Sequence, residues 1–276
     1  MLNRHASLSS KRRLVIFLVP AAVLLLLSLF APLLAPNDPN ATSAMMMNHA
    51  PCADYPFGTD QLGRCICSRV LMGAGTSIFS AALLVILTFL AGATLGILAG
   101  WYGGIADAVI MRICDVMLAF PQMVLAIAVA GILGGGMTNA MLAMGISGWT
   151  LYARLARAQV LSLKEEPYVQ AARLSGLRFP RIMFGTLLPN ILGPLVVNAT
   201  TQIGVMMIGI AGLSFLGIGV TEPHAEWGSM INFSRSYIRL APWAVFAPAA
   251  AIVLTVMVFN CLGDSIRDYL DVGGEK

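Results

Sequence analysis

The feature that most constrains this chain is a series of stretches without a single Asp, Glu, Lys or Arg, most of them about as long as a bilayer crossing. They run from Leu14 to Leu34, Ile78 to Trp101, Val116 to Leu133, Met137 to Leu151, Ile191 to Val220 and Ala241 to Leu262. A hydrocarbon core about 30 Å thick needs roughly 20 apolar residues per spanning helix. Inside lipid the backbone must satisfy its own polar groups, and a helix does so within one segment. The expectation is therefore an all-α, polytopic membrane protein with about six transmembrane helices. Met137 to Leu151 is the shortest stretch and has to borrow the turn around Tyr152 to cross.

Composition removes the soluble alternative. Hydrophobic residues make up 58% of the chain and charged residues 11%, against about 25% charged in an ordinary soluble domain. Lys11, Arg12 and Arg13 ahead of the first apolar run would also suit a secretory signal. Signal h-regions are about 7 to 15 residues long, and this run is longer, so it is read as a retained helix.

Charge gives the orientation. With a cytoplasmic amino terminus, Arg4, Lys11, Arg12, Arg13, Arg112, Arg154, Arg157, Lys164, Arg173, Arg178, Arg181, Arg267 and Lys276 lie inside, and only Arg64, Arg69, Arg235 and Arg239 outside. That bias is the positive-inside pattern, and it places both termini in the cytoplasm of a bacterial inner membrane. The net charge of +4 is accounted for by topogenic bias and anionic lipid, and no nucleic-acid partner is needed.

Three polar interruptions organise the chain. Ala35 to Gly75, with Pro36, Pro39, Pro51 and Pro56, reads as an extracytoplasmic loop, and Thr221 to Ala241 as another. Tyr152 to Pro189 concentrates basic residues on the cytoplasmic side. The division expected is 1-75 for a tail, first helix and outer loop, 76-267 for a five-helix membrane domain with a cytoplasmic loop at about 164-189, and 268-276 for a tail. No repeat of fixed period is present.

Within the cytoplasmic interruption, Pro167 suits a first helical turn and Gly176 the position just past a helix end. These signals predict a helix of about two turns, with small Ala171 and Ala172 allowing another surface to approach. A second short helix opens at Arg178, Phe179 and Arg181 and is expected to end at Pro189.

This stretch resembles the EAA loop of binding-protein-dependent ABC importer permeases. Gln170-Ala171-Ala172, Gly176 and Thr186-Leu187-Leu188-Pro189 keep the family's spacing, with Gln170 in place of Glu and Thr186 in place of Ile. The resemblance implies a type I importer permease fold and a coupling helix that docks on a cytoplasmic ATPase, with Gln170, Ala171, Ala172, Gly176, Leu188 and Pro189 as its coupling residues. It also implies the partners: a homologous second permease, two ATPase subunits or domains that use the ATP, and an extracytoplasmic solute-binding protein.

Two further stretches narrow the subfamily. Phe57 to Arg64, followed by Ser68 and Arg69, is similar to the Gly-Thr-Asp loop of dipeptide, oligopeptide and nickel permeases, with Cys65 where the pattern has a second Asp. Leu213 to Gly219 and Glu226-Trp227-Gly228 resemble that subfamily's C-type subunit. Met206-Met207 and the Ala225 to Asn232 stretch lean toward nickel or metal-chelate transport over di- or oligopeptides.

Candidate pathway residues come from polar side chains inside the spans, which usually face a bundle interior. Asn139, Asn198, Gln202 and Asn260 are such amides. Asn198 and Gln202, four apart, share a face with Met206 beyond them. His5, His49 and His224 are too scattered for a closed metal site, so no metal ligands are assigned. The methionines are ordinary packing residues. Cys52, Cys65 and Cys67 lie in the outer loop, where a disulfide is permitted. Cys65 and Cys67 are too close for an ordinary bridge, so a disulfide here would have to involve Cys52, with free thiols as the alternative.

Rival classes lack their equipment. No span holds a central carboxylate, as an ion-coupled secondary transporter would be expected to. No Gly-x4-Gly-Lys-Ser/Thr sequence is present, so the chain is expected to be no enzyme itself and to bind no cofactor directly.

Overall fold

The computed structural model describes Leu2–Gly274 and the side chains from Ser10 to Asp271; Arg4, His5 and Lys276, used above, fall outside the described side chains. The architecture is helical: α1 (Leu2–Leu29), α2 (Ala31–Leu34), α3 (Ile66–Tyr102), α4 (Gly104–Leu118), α5 (Gln122–Leu133), α6 (Met137–Lys164), α7 (Pro167–Leu174), α8 (Phe179–Ile182), α9 (Leu188–Phe215), α10 (Trp227–Ser234) and α11 (Trp243–Gly274).

At its centre α3 packs on α6 and α9, with α11 against α9 and α1 against α11 and α3. The seam between α3 and α6 depends on three glycines one turn apart. A Cβ on Gly92 would lie 2.2 Å from the Trp149 carbonyl oxygen, one on Gly96 2.2 Å from that of Ala153, and one on Gly100 2.9 Å from Val160 Cβ. Small residues let membrane helices approach backbone to backbone where no hydrophobic effect separates protein from lipid.

Four helices are long and apolar enough to cross a bilayer, Ser10–Leu29, Ile66–Tyr102, Phe179–Phe215 and Trp243–Asp271, and five if α4 and α5 count as one bent span. These four or five stand beside the about six expected, and the difference arises at two places. Val116 to Leu133 is not one straight crossing, because the chain bends by 88° between α4 and α5. Pro121 stands at the break, and the residue before a proline is pushed out of the helical region. The Met137 to Leu151 stretch lies in α6, which is 28 residues long but carries Arg154 and Arg157 in its second half and falls short in apolarity.

The divisions at 75/76 and 267/268 fall inside α3 and α11, which are continuous there. Pro189 does not end a helix. α8 runs through a π turn at Met183–Leu187, where Leu188 N–H donates to the Met183 carbonyl, directly into α9. The widened turn absorbs the amide that proline lacks.

Candidate functional site

The short helix between Tyr152 and Pro189 forms where the sequence placed it. Pro167 occupies the first turn of α7, and Gly176 ends it at φ +78. Gly176 N–H bonds to Arg173 O and Leu177 N–H to Ala172 O, the paired closure of a Schellman turn. Val169 is the one buried side chain of α7, anchored with Ile182 and Leu187. Gln170, Ala171 and Gly176 are exposed, Ala172 is half-buried, and Leu174 is 90% exposed. An eight-residue helix held by one buried residue thus offers its remaining surface outward. Leu188 is half-buried and Pro189 exposed at the start of α9, directly after the π turn.

At the same end, α6 is tied to α4 by two ion pairs. Arg157 Nη2 donates to Asp107 Oδ2 at 2.6 Å, and Arg154 pairs with Asp115. Lys164 at the end of α6 donates to the Trp101 carbonyl at 2.7 Å.

Of the pathway candidates, Met206 is 2% exposed and its methyl group lies against Gly148, so it packs in the core of this chain. Asn198 and Gln202 are half-buried. Asn198 borders a cavity of about 240 Å³ with Leu155, Pro194, Arg267 and Asp271, and its Oδ1 is buried without a partner. Asn139 instead caps a turn, donating to Leu133 O at 2.9 Å.

The opposite end holds a charged cluster that sequence reading missed. Asp60 Oδ1 accepts from the Leu62 and Arg64 amides at 2.8 and 3.0 Å, and its Oδ2 accepts from Arg64 Nε at 2.7 Å. Arg64 reaches Glu222, 158 residues away. Arg69, 1% exposed, donates to Glu222 at 3.3 Å and to the Pro39 and Pro223 carbonyls at 3.2 Å. Asp60 and Glu222 hold the Arg64 guanidinium above its usual range against the opposing effect of burial. Glu226 caps α10, accepting from Gly228 N at 2.9 Å and Ser229 N at 2.8 Å, and Ser77 of α3 donates to it at 3.3 Å. Burial pushes its carboxyl up, opposed by those N–H groups. The Gly-Thr-Asp stretch was visible in sequence, but its partner Glu222 in the loop between α9 and α10 was not.

All five cysteines are free thiols, so the Cys52 pairing is not formed; Cys65 is instead buried at the start of α3. Among the described residues no three His, Cys, Asp or Glu side chains come together as a metal site.

Residues 92–273 match the family described as binding-protein-dependent transport system inner membrane component. The chain belongs to that family. It is 40% identical over 264 residues to the dipeptide transport system permease protein DppC of Alkalihalophilus pseudofirmus, covering 96% of this chain and 87% of the relative. It is 40% identical to the nickel transport system permease protein NikC of Escherichia coli, covering 96% and 95%. It is 42% identical to the glutathione transport system permease protein GsiD of Pectobacterium atrosepticum, covering 90% and 83%. The fold is that of a type I importer permease: a chain of the MetNI methionine ABC transporter, solved in inward facing conformations, superposes with a TM-score of 0.53 at 19% identity, covering 71% of this permease and 94% of that chain. This permease is thus a multi-pass membrane protein of the ABC importer class, and the ion-coupled carrier is not favoured.

Proposed function

We propose that this permease forms half of a translocation path with a homologous second permease, and that two cytoplasmic ATPase subunits or domains drive it through α7. The reading is carried by one observation: a capped helix anchored by Val169 that leaves Tyr168, Gln170, Ala171 and Leu174 exposed, which suits docking on a moving partner. Gln170, Ala171, Ala172 and Gly176 are its coupling residues, and Leu188 and Pro189 support it from the start of α9. Asn198, with its unpartnered oxygen, and Gln202 are the pathway candidates.

The chain itself hydrolyses no ATP and holds no cofactor, and an extracytoplasmic binding protein delivers the solute. Both termini lie in the cytoplasm, which leaves the Asp60–Arg64–Arg69–Glu222 cluster on the outer face. The solute class is di- or oligopeptides or a metal chelate, as the relatives' names indicate, with chelated nickel retained because no closed metal site is needed to pass it.

The test is co-reconstitution in vesicles with the second permease, the ATPases and the binding protein. Uptake that requires ATP and the binding protein is expected. Uptake driven by a proton or sodium gradient alone would overturn the assignment.

A further inference from the structure

Trp101, the penultimate residue of α3, is where three cytoplasmic elements converge. Its carbonyl holds the Lys164 ammonium at the end of α6. The Arg173 guanidinium of α7 lies 5.3 Å from its ring centroid. The Phe179 ring that opens α8 stacks at 5.1 Å, and at 5.5 Å on neighbouring Tyr102. Trp101 also packs on the cluster formed by Val169 of α7 with Ile182 and Leu187. Val169 is the only side chain that α7 buries, so much of the grip on this helix passes through this ring.

Beyond Tyr102 the chain turns sharply. Gly103 and Gly104 both have positive φ, +65 and +57, and α4 departs at once toward the Asp107–Arg157 pair. A force on the Trp101 ring therefore acts at the corner between the central helix and α4.

We propose that Trp101 is a positioning residue that clamps α7 to the α3–α4 corner, so that displacement of the coupling helix moves α3 with it. This rests on α7 being the ATPase-coupling helix. Aromatic stacking and a cation over the ring face give a contact that resists shear in more than one direction. An aliphatic side chain keeps neither.

The experiment uses the complete assembly in vesicles, with ATP hydrolysis and uptake of radiolabelled dialanine or nickel(II), whichever the wild type transports, measured in parallel. Trp101→Ala is expected to keep hydrolysis within about twofold and to lower uptake at least about tenfold, an uncoupling that a general folding defect would not produce. Trp101→Phe keeps the ring and should restore uptake to within about threefold. If Trp101→Ala transports like the wild type, the clamp is wrong, while the coupling role of α7 stands on Gly176→Val and Ala172→Asp. If those two are also silent, the role of α7 fails.

Should Trp101→Ala not assemble, spin labels at Ser175→Cys and Ile105→Cys, with Trp101 intact and the native cysteines replaced, read the clamp directly. An unchanged distance on nucleotide binding supports rigid coupling. A change of about 5 Å or more, one helical turn, overturns it.

Discussion

Arg64 and Glu222 lie 158 residues apart in the chain and share an ion pair that joins the loop before α3 to the loop between α9 and α10. Arg69 enters the same carboxylate from the first turn of α3, so Glu222 is the shared partner of two arginines whose side chains are almost wholly buried.

Removing Glu222 should destabilise the outer face without touching the cytoplasmic one. Glu222→Ala leaves two guanidinium groups with Asp60 as their one remaining acid. Because Glu222 is about a third exposed, the expected cost is about 1–2 kcal/mol. Arg69→Ala should cost more, about 3 kcal/mol, since it removes a side chain that is only 1% exposed and takes the donor from the Pro39 and Pro223 carbonyls as well. Thermal unfolding of the detergent-purified chain measures both, and equal losses would argue against the shared-carboxylate arrangement.

The end of α7 should tolerate residues according to φ. Gly176→Val is expected to lower uptake about tenfold or more, because a β-branched residue is strongly disfavoured at φ +78. Gly176→Asn, which enters this region more readily, should fall between. Ala172→Asp should come next in severity, and Gln170→Glu should be tolerated. Uptake together with stimulation of the ATPase by loaded binding protein checks the order.

The glycine seam should be the least forgiving part of the membrane core. Gly96→Val would drive side-chain atoms into the Ala153 carbonyl, at an expected cost of about 3 kcal/mol, whereas Gly131→Ala, with open space around it, should be nearly neutral. Yield of folded protein in the membrane fraction and unfolding temperature separate the two.

Glu226 should make the outer face sensitive to pH. Its carboxyl is raised above 4.5 by burial, so the protonated form is favoured in the folded chain. The corresponding stability is fully present below 4.5 and is lost as pH rises through the raised value. Glu226→Gln removes this dependence. The unfolding temperature of wild type minus that of the variant should therefore fall as pH increases from about 4.5, and a difference that rises instead would mean that the N–H groups of α10 outweigh burial.

Orientation can be checked by labelling single cysteines from intact cells, with the native cysteines replaced. A probe at Ala50→Cys should react from outside and one at Leu177→Cys only after permeabilisation. The opposite order would invert the charge-derived topology.

Sequence alone determined the membrane class, because uncharged length and charge asymmetry are properties of the chain that lipid reads directly. It also determined α7, since Pro167 and Gly176 act on their own backbone and need no distant partner. What it could not supply was anything that depends on who faces whom. Gly92, Gly96 and Gly100 are unremarkable until α6 lies against them. Met206 shares a helix face with Asn198 and Gln202 in the sequence, and only the packing of α9 on α6 sets its methyl group against Gly148. The Val116 to Leu133 run reads as a crossing by apolarity, and only the backbone at Phe120 and Pro121 turns it by 88°. Glu222 and Arg64 are ordinary loop charges in the sequence, and tertiary packing alone buries the Arg64 guanidinium against the partly exposed Glu222 carboxylate, where an unpaired charge would be too costly to keep.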